Sequence, residues 1–78
     1  MKSKQSKARS RTARNFIKTY GRSEFVRLLS DIAQGVSGQE IADRLHVSRE
    51  RVRQWKNLFG VIHVEYKVYP EVAAVLKR

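Results

Sequence analysis

Apolar side chains recur along this chain at helical spacing as far as residue 60 and at strand spacing after it. Ala13, Phe16, Ile17 and Tyr20 fall at i, i+3, i+4 and i+7, which predicts one face of a first helix stopped by Gly21. Phe25, Leu28, Leu29 and Ile32 repeat the spacing in a second helix, with Ser23 as its expected N-cap and Gly35 at its end. Ser37-Gly38-Gln39-Glu40 has the form of a capping box and opens a third helix that runs to about Leu45. After His46 and Val47, Ser48 offers a further N-cap, and Val52, Trp55 and Phe59 mark the apolar face of a fourth helix that Gly60 terminates.

The last two helices are short and are joined by a turn of three residues, His46 to Ser48, which is the layout of a helix-turn-helix. That motif needs apolar side chains where its helices meet and a small one where they cross closely. Ile41, Leu45, Val47, Val52 and Trp55 supply the first, and Ala42 the second. His46 stands in the turn where glycine is favoured for its access to positive φ, a region histidine enters more readily than β-branched residues do.

Beyond Gly60 the period becomes two. Ile62, Val64, Tyr66 and Val68 alternate with His63, Glu65 and Lys67, so Val61 to Tyr69 is expected as a strand. No second alternating run exists to pair with it, which predicts antiparallel pairing with a second copy of the chain through Ile62, Val64, Tyr66 and Val68. Pro70 suits the first turn of a terminal helix whose apolar side would hold Val72, Val75 and Leu76. The expected fold is therefore mainly α: a small helix-turn-helix domain with a C-terminal, intermolecularly paired β-strand and a short terminal helix. Residues 1–11 are expected as a basic flexible tail, 12–60 as the helical domain and 61–78 as a dimerisation element.

Charge turns this fold towards a partner. The formal net charge is +10, and residues 1–19 carry +7 of it with no acidic side chain, while Arg49, Arg51, Arg53 and Lys56 against Glu50 add +3 in one short segment. Excess charge gathered in two places is what a polyanion-binding surface requires. The 78 residues contain no cysteine, so disulfides and thiolate metal sites are excluded, and His46 and His63 are isolated; no metal and no cofactor are expected. Neither a secretory signal nor an apolar run of membrane-spanning length is present, which predicts a soluble, cytoplasmic protein with no membrane partner. No nucleophile motif or phosphate-cradling glycine loop points to an enzyme.

A helix entering the major groove shows its N-terminal residues to base edges. There Arg bonds guanine O6 and N7 together, Glu accepts from cytosine N4, and Gln pairs with adenine N6 and N7. Arg49, Glu50 and Gln54 supply all three chemistries, and Arg53, one turn on from Arg49, joins them as a base-reading candidate. Ser37, Ser48, Arg51 and Lys56, with Arg9, Arg11 and Arg14 from the N-terminal segment, are the phosphate-binding candidates. Arg49, Arg53 and Lys56 are expected on one face, opposite much of the Val52, Trp55 and Phe59 face, and Trp55 is expected in the core.

The run Val47-Ser48-Arg49-Glu50-Arg51-Val52-Arg53-Gln54 closely resembles the promoter-reading region 4 of primary bacterial sigma factors, where a Val-Thr-Arg-Glu-Arg-Ile-Arg-Gln pattern opens the recognition helix. Gln39-Glu40-Ile41-Ala42 is similar to the first helix of that motif. The likeness covers about residues 35–60 and lapses after Gln54. It implies that Arg49, Glu50 and Gln54 read bases while Arg51 and Arg53 face phosphates or a protein partner. The chain thus resembles a sigma-type motif used alone, as in small bacterial or phage regulators, and this implies a sequence-specific regulator; because so little of the chain is left to contact polymerase, a repressor is expected rather than an activator. The partners expected are double-stranded DNA, a second copy of the chain and, through the basic surface, RNA polymerase. Two other readings are an architectural or recombination accessory protein of a phage or mobile element and an adaptor gripping RNA or RNA polymerase.

Overall fold

The computed structural model describes residues 4–62 and 65–77. Its elements are α1 (Lys4–Tyr20), α2 (Arg22–Ala33), α3 (Gly38–Leu45), α4 (Arg49–Phe59), β1 (Gly60–Ile62), β2 (Tyr66–Val68) and α5 (Pro70–Val75). The fold is mainly helical, with one short antiparallel sheet, as a small helix-turn-helix domain requires. None of the described helices is long and apolar enough to cross a membrane.

The apolar positions predicted to face inward do so. Phe16, Phe25, Leu28, Ile41, Val52, Trp55, Phe59 and Val72 belong to one continuous core. Its centre is a chain of rings: Phe16 meets Trp55 edge-on at 4.9 Å between centroids, Phe25 meets Phe59 at 5.2 Å, and Phe16 lies 5.5 Å from Phe25. Such pairs contribute about 0.5–1.5 kcal/mol each beyond the area they bury. Between them they tie α1, α2 and α4 together.

α1 and α2 meet at a corner of a single residue. Gly21 caps α2 with φ 96° and ψ 161°, and no side-chain cap is present, so Ser23 lies inside the helix it was expected to open. A serine cap needs extended backbone ahead of it, whereas the chain here must reverse within one residue, a conformation open essentially to glycine alone. The other end of α2 is a Schellman motif: Val36 N–H donates to Asp31 O and Gly35 N–H to Ile32 O, with Gly35 at φ 83°. A charged tie joins α2 to α3, since Arg44 Nη1 donates to Asp31 Oδ2 at 2.6 Å and its Nε lies 3.5 Å from Glu24 Oε1.

Three expectations are corrected. The segment read as a flexible tail through residue 11 is helical from Lys4, because it has a surface to lie on. α5 packs across α1, with the Arg9 guanidinium 3.7 Å over the Tyr69 ring and Arg9 Nη1 3.4 Å from Glu71 Oε2. The stretch read as one strand is two strands that pair with each other, Gly60 opposite Val68, Val61 opposite Lys67 and Ile62 opposite Tyr66. The chain supplies its own hydrogen-bonding neighbour, so the reason to expect a second copy there disappears. Of the residues assigned to that interface, Tyr66 and Val68 pack against their own core, Ile62 is 57% exposed, and Val64 lies outside the described residues.

Candidate nucleic-acid interface

α3 and α4 are held as a helix-turn-helix by the residues predicted for it. Ile41, Ala42, Val52 and Trp55 are buried, and Ala42, fully buried, keeps the helices close. Ser37 Oγ accepts from Glu40 N–H and Ser48 Oγ from Arg51 N–H, each at 3.1 Å, so both helices start at serine caps. In the turn, His46 has φ 58° and ψ 44°, the left-handed conformation expected of that position, and Val47 N–H donates to Ala42 O. Accepting these bonds leaves each serine its O–H as a donor, and both hydroxyls lie at exposed helix N-termini, where an anion is favoured.

Burying Val52, Trp55 and Phe59 fixes which side of α4 looks outward. The exposed residues farthest from that face are Glu50, Arg53, Gln54 and Asn57, with Arg49 at the leading end. Asn57 was not among the sequence candidates, although its place i+7 from Glu50 and i+3 from Gln54 puts it in their row. Asn, like Gln, pairs with adenine N6 and N7. Glu50 and Arg53 are joined by two hydrogen bonds, Nε to Oε1 at 3.1 Å and Nη2 to Oε2 at 2.5 Å. The hydrogen bond from Arg53, helped by its charge, holds the Glu50 carboxyl below the ordinary carboxylate range, and the same bond raises Arg53. Two of the five guanidinium donors are engaged, which leaves three to donate from this exposed side chain.

Arg53 stands opposite much of the core face, as expected, whereas Arg49 and Lys56 lie to its side. All three line a cleft of about 600 Å³ that runs from the Gly35–Gly38 turn to Ile62, with Ile32, Ile41 and Val52 among its lining. Lys56 is half-buried there. The hairpin closes on the far end of α4: Tyr66 O–H donates to the Lys56 carbonyl at 2.9 Å, its ring lying across Gly60 so closely that a Cβ there would come within 2.7 Å of Cζ and 2.5 Å of the Lys67 carbonyl.

The remaining phosphate candidates are dispersed. Arg51 turns its guanidinium towards Trp55, 6.0 Å from the ring centroid. Arg9 is engaged by Tyr69 and Glu71, with a fifth of its side chain exposed. Arg11 and Arg14 are exposed on α1, on its side away from the core rather than beside α4. Among the described residues no three His, Asp or Glu side chains gather where a metal ion could be held.

A serine-capped helix pair with a left-handed turn, presenting a row of arginine, carboxylate and amide groups on its second helix, defines a helix-turn-helix DNA-binding domain. Residues 22–60, half of the chain, match the homeodomain-like domain, and the chain belongs to that helix-turn-helix family. No curated protein and no solved structure matches it.

Proposed function

We propose that this protein is a transcription regulator that binds duplex DNA sequence-specifically by placing α4 in the major groove. The observation that carries the reading is the outward row Arg49, Glu50, Arg53, Gln54 and Asn57, held on a helix whose opposite face is locked into the core. Arg49 and Arg53 address guanines, Gln54 and Asn57 adenines, and Glu50 both orients Arg53 and accepts from a cytosine amine. The Ser37 and Ser48 hydroxyls and the Lys56 ammonium set the register on flanking phosphates. The local likeness of residues 47–54 to the promoter-reading region of sigma factors supports Arg49, Glu50 and Gln54 as readers. The exposed chemistry of the domain is directed at DNA, so its expected mode of regulation is occupancy of a site, which is repression.

Selection of bound duplexes from a random pool tests this. A defined motif of a few base pairs is expected, and Arg49→Ala should weaken binding to it by about 1–3 kcal/mol while relaxing preference at one position. A pool that returns no enriched motif, or an Arg49→Ala variant weakened equally on every duplex, would refute base reading by α4.

A further inference from the structure

α1 carries a second cationic surface. Lys7, Arg11, Arg14 and Lys18 are all exposed and fall at i, i+4, i+7 and i+11, which aligns them in one stripe along about 16 Å of helix. α1 contains no acidic residue. The carboxylates that form ion pairs among the described residues do so with other cations: Glu24 with Arg44, Asp31 with Arg44 and Arg27, Glu50 with Arg53, Glu65 with Lys67 and Glu71 with Arg9. None of these pairs involves a stripe residue.

The direction of the stripe matters as much as its charge. α1 touches α4 through Phe16 and Tyr20, whose rings lie 4.9 and 6.0 Å from Trp55. Phe16 and Tyr20 lie roughly 170° around α1 from the middle of the stripe, and Trp55 lies roughly 150° around α4 from the Glu50, Arg53, Gln54 and Asn57 row. The two charged surfaces therefore face away from each other across the aromatic layer, with their outer sides about 20 Å apart, the thickness of two touching helices. A straight duplex seated on α4 does not reach the stripe.

From this placement we infer that the α1 stripe binds the phosphate backbone of a second DNA segment, so that one chain bridges two duplexes. The inference rests on the DNA-binding reading of α4 and adds a second, sequence-independent contact to it. A polyphosphate backbone fits the stripe because four exposed cations along one helix, with no acidic residue among them, neutralise successive backbone charges. An anionic membrane fits it less well. A helix that binds a bilayer surface inserts an apolar face, and Ala13 and Phe16 on that face are already buried in the core.

The test uses the full chain with two unrelated duplexes, one fixed to beads and one fluorescent. Wild-type protein is expected to retain the fluorescent duplex on the beads at least tenfold over beads alone. The variant Lys7→Ala/Arg11→Ala/Arg14→Ala/Lys18→Ala should lose that retention and keep its affinity for a single selected duplex within about threefold. Alanine at exposed helical sites favours the helix, so the variant should fold, and its circular dichroism checks this. Retention by the variant equal to wild type would mean that bridging comes from self-association and would overturn the inference. So would a fall in single-duplex affinity with a salt slope shallower by about 0.9 per lost cation, which would place the stripe on the same duplex as α4. Capture of wild type by phosphatidylserine vesicles without duplex bridging would replace DNA by a membrane. Loss of sequence preference in Arg49→Ala reports on α4 separately, so either reading can fail alone.

Discussion

Three residues hold this fold in conformations or contacts that few substitutes tolerate. At Gly21 a Cβ would meet no atom within 4 Å, so the cost of replacing it is purely one of backbone, φ 96° with ψ 161°. Gly21→Ala is expected to lower stability by about 1–3 kcal/mol, read as the shift of a urea midpoint at constant slope. His46 occupies the left-handed region without being glycine, and His46→Gly should raise the thermal midpoint, by relief of up to about 1 kcal/mol. Tyr66 is half-buried, and burial, with Tyr69 nearby, pushes its phenol from 10.0 up to about 12. Because the folded value lies above the unfolded one, this contribution is intact below pH 10 and is lost as pH rises towards 12. Tyr66→Phe should cost about 1 kcal/mol at neutral pH, through loss of the bond to the Lys56 carbonyl, and should flatten the fall of stability in alkali. An alkaline unfolding curve identical to wild type would contradict this.

Among the elements, α2, α3 and α4 were legible because each carries its own signal: a repeated apolar spacing, a cap, a terminating glycine. The hairpin was not, for a definite reason. Three residues separate Ile62 from Tyr66, and an odd loop preserves the phase of alternation, so even-numbered residues share a face whether the run is one strand or two. His63-Val64-Glu65 contains none of the glycine, proline or asparagine that marks a turn. The start of α1 was hidden differently, since Arg9 is fixed by a stack and an ion pair with α5 and no apolar period announces a contact between residues 9 and 71. Removal of residues 1–11 is accordingly expected to uncover α5 and lower the thermal midpoint, where loss of a loose tail would leave it unchanged. On α4, Glu50→Gln releases Arg53 and removes a carboxylate from the phosphate-facing helix. Its affinity for arbitrary duplexes should rise while its ratio of specific to arbitrary binding falls, both read from titrations at fixed salt.

At the scale of the whole molecule, the candidate readers near the start of α4 could be named from sequence because the serine cap and the apolar triplet fix the helix and its phase. Asn57 shares that phase and was legible by the same spacing, whereas the orientation of the α1 stripe required knowing how α1 and α4 face each other, and that is set by packing between elements distant in the chain. The clasp of Tyr66 over Gly60 onto the last turn of α4 bears on how DNA itself would be chosen. With its inner face in the core, its first turn capped and its last turn clamped by the hairpin, α4 has little freedom to tilt or slide against the rest of the domain once the domain is seated in a groove. Whatever misfit remains must be taken up by the duplex. Sites flanked by easily kinked pyrimidine–purine steps should then be enriched in a selection even at base pairs no side chain reaches, so that part of the protein's preference is for DNA stiffness rather than DNA letters.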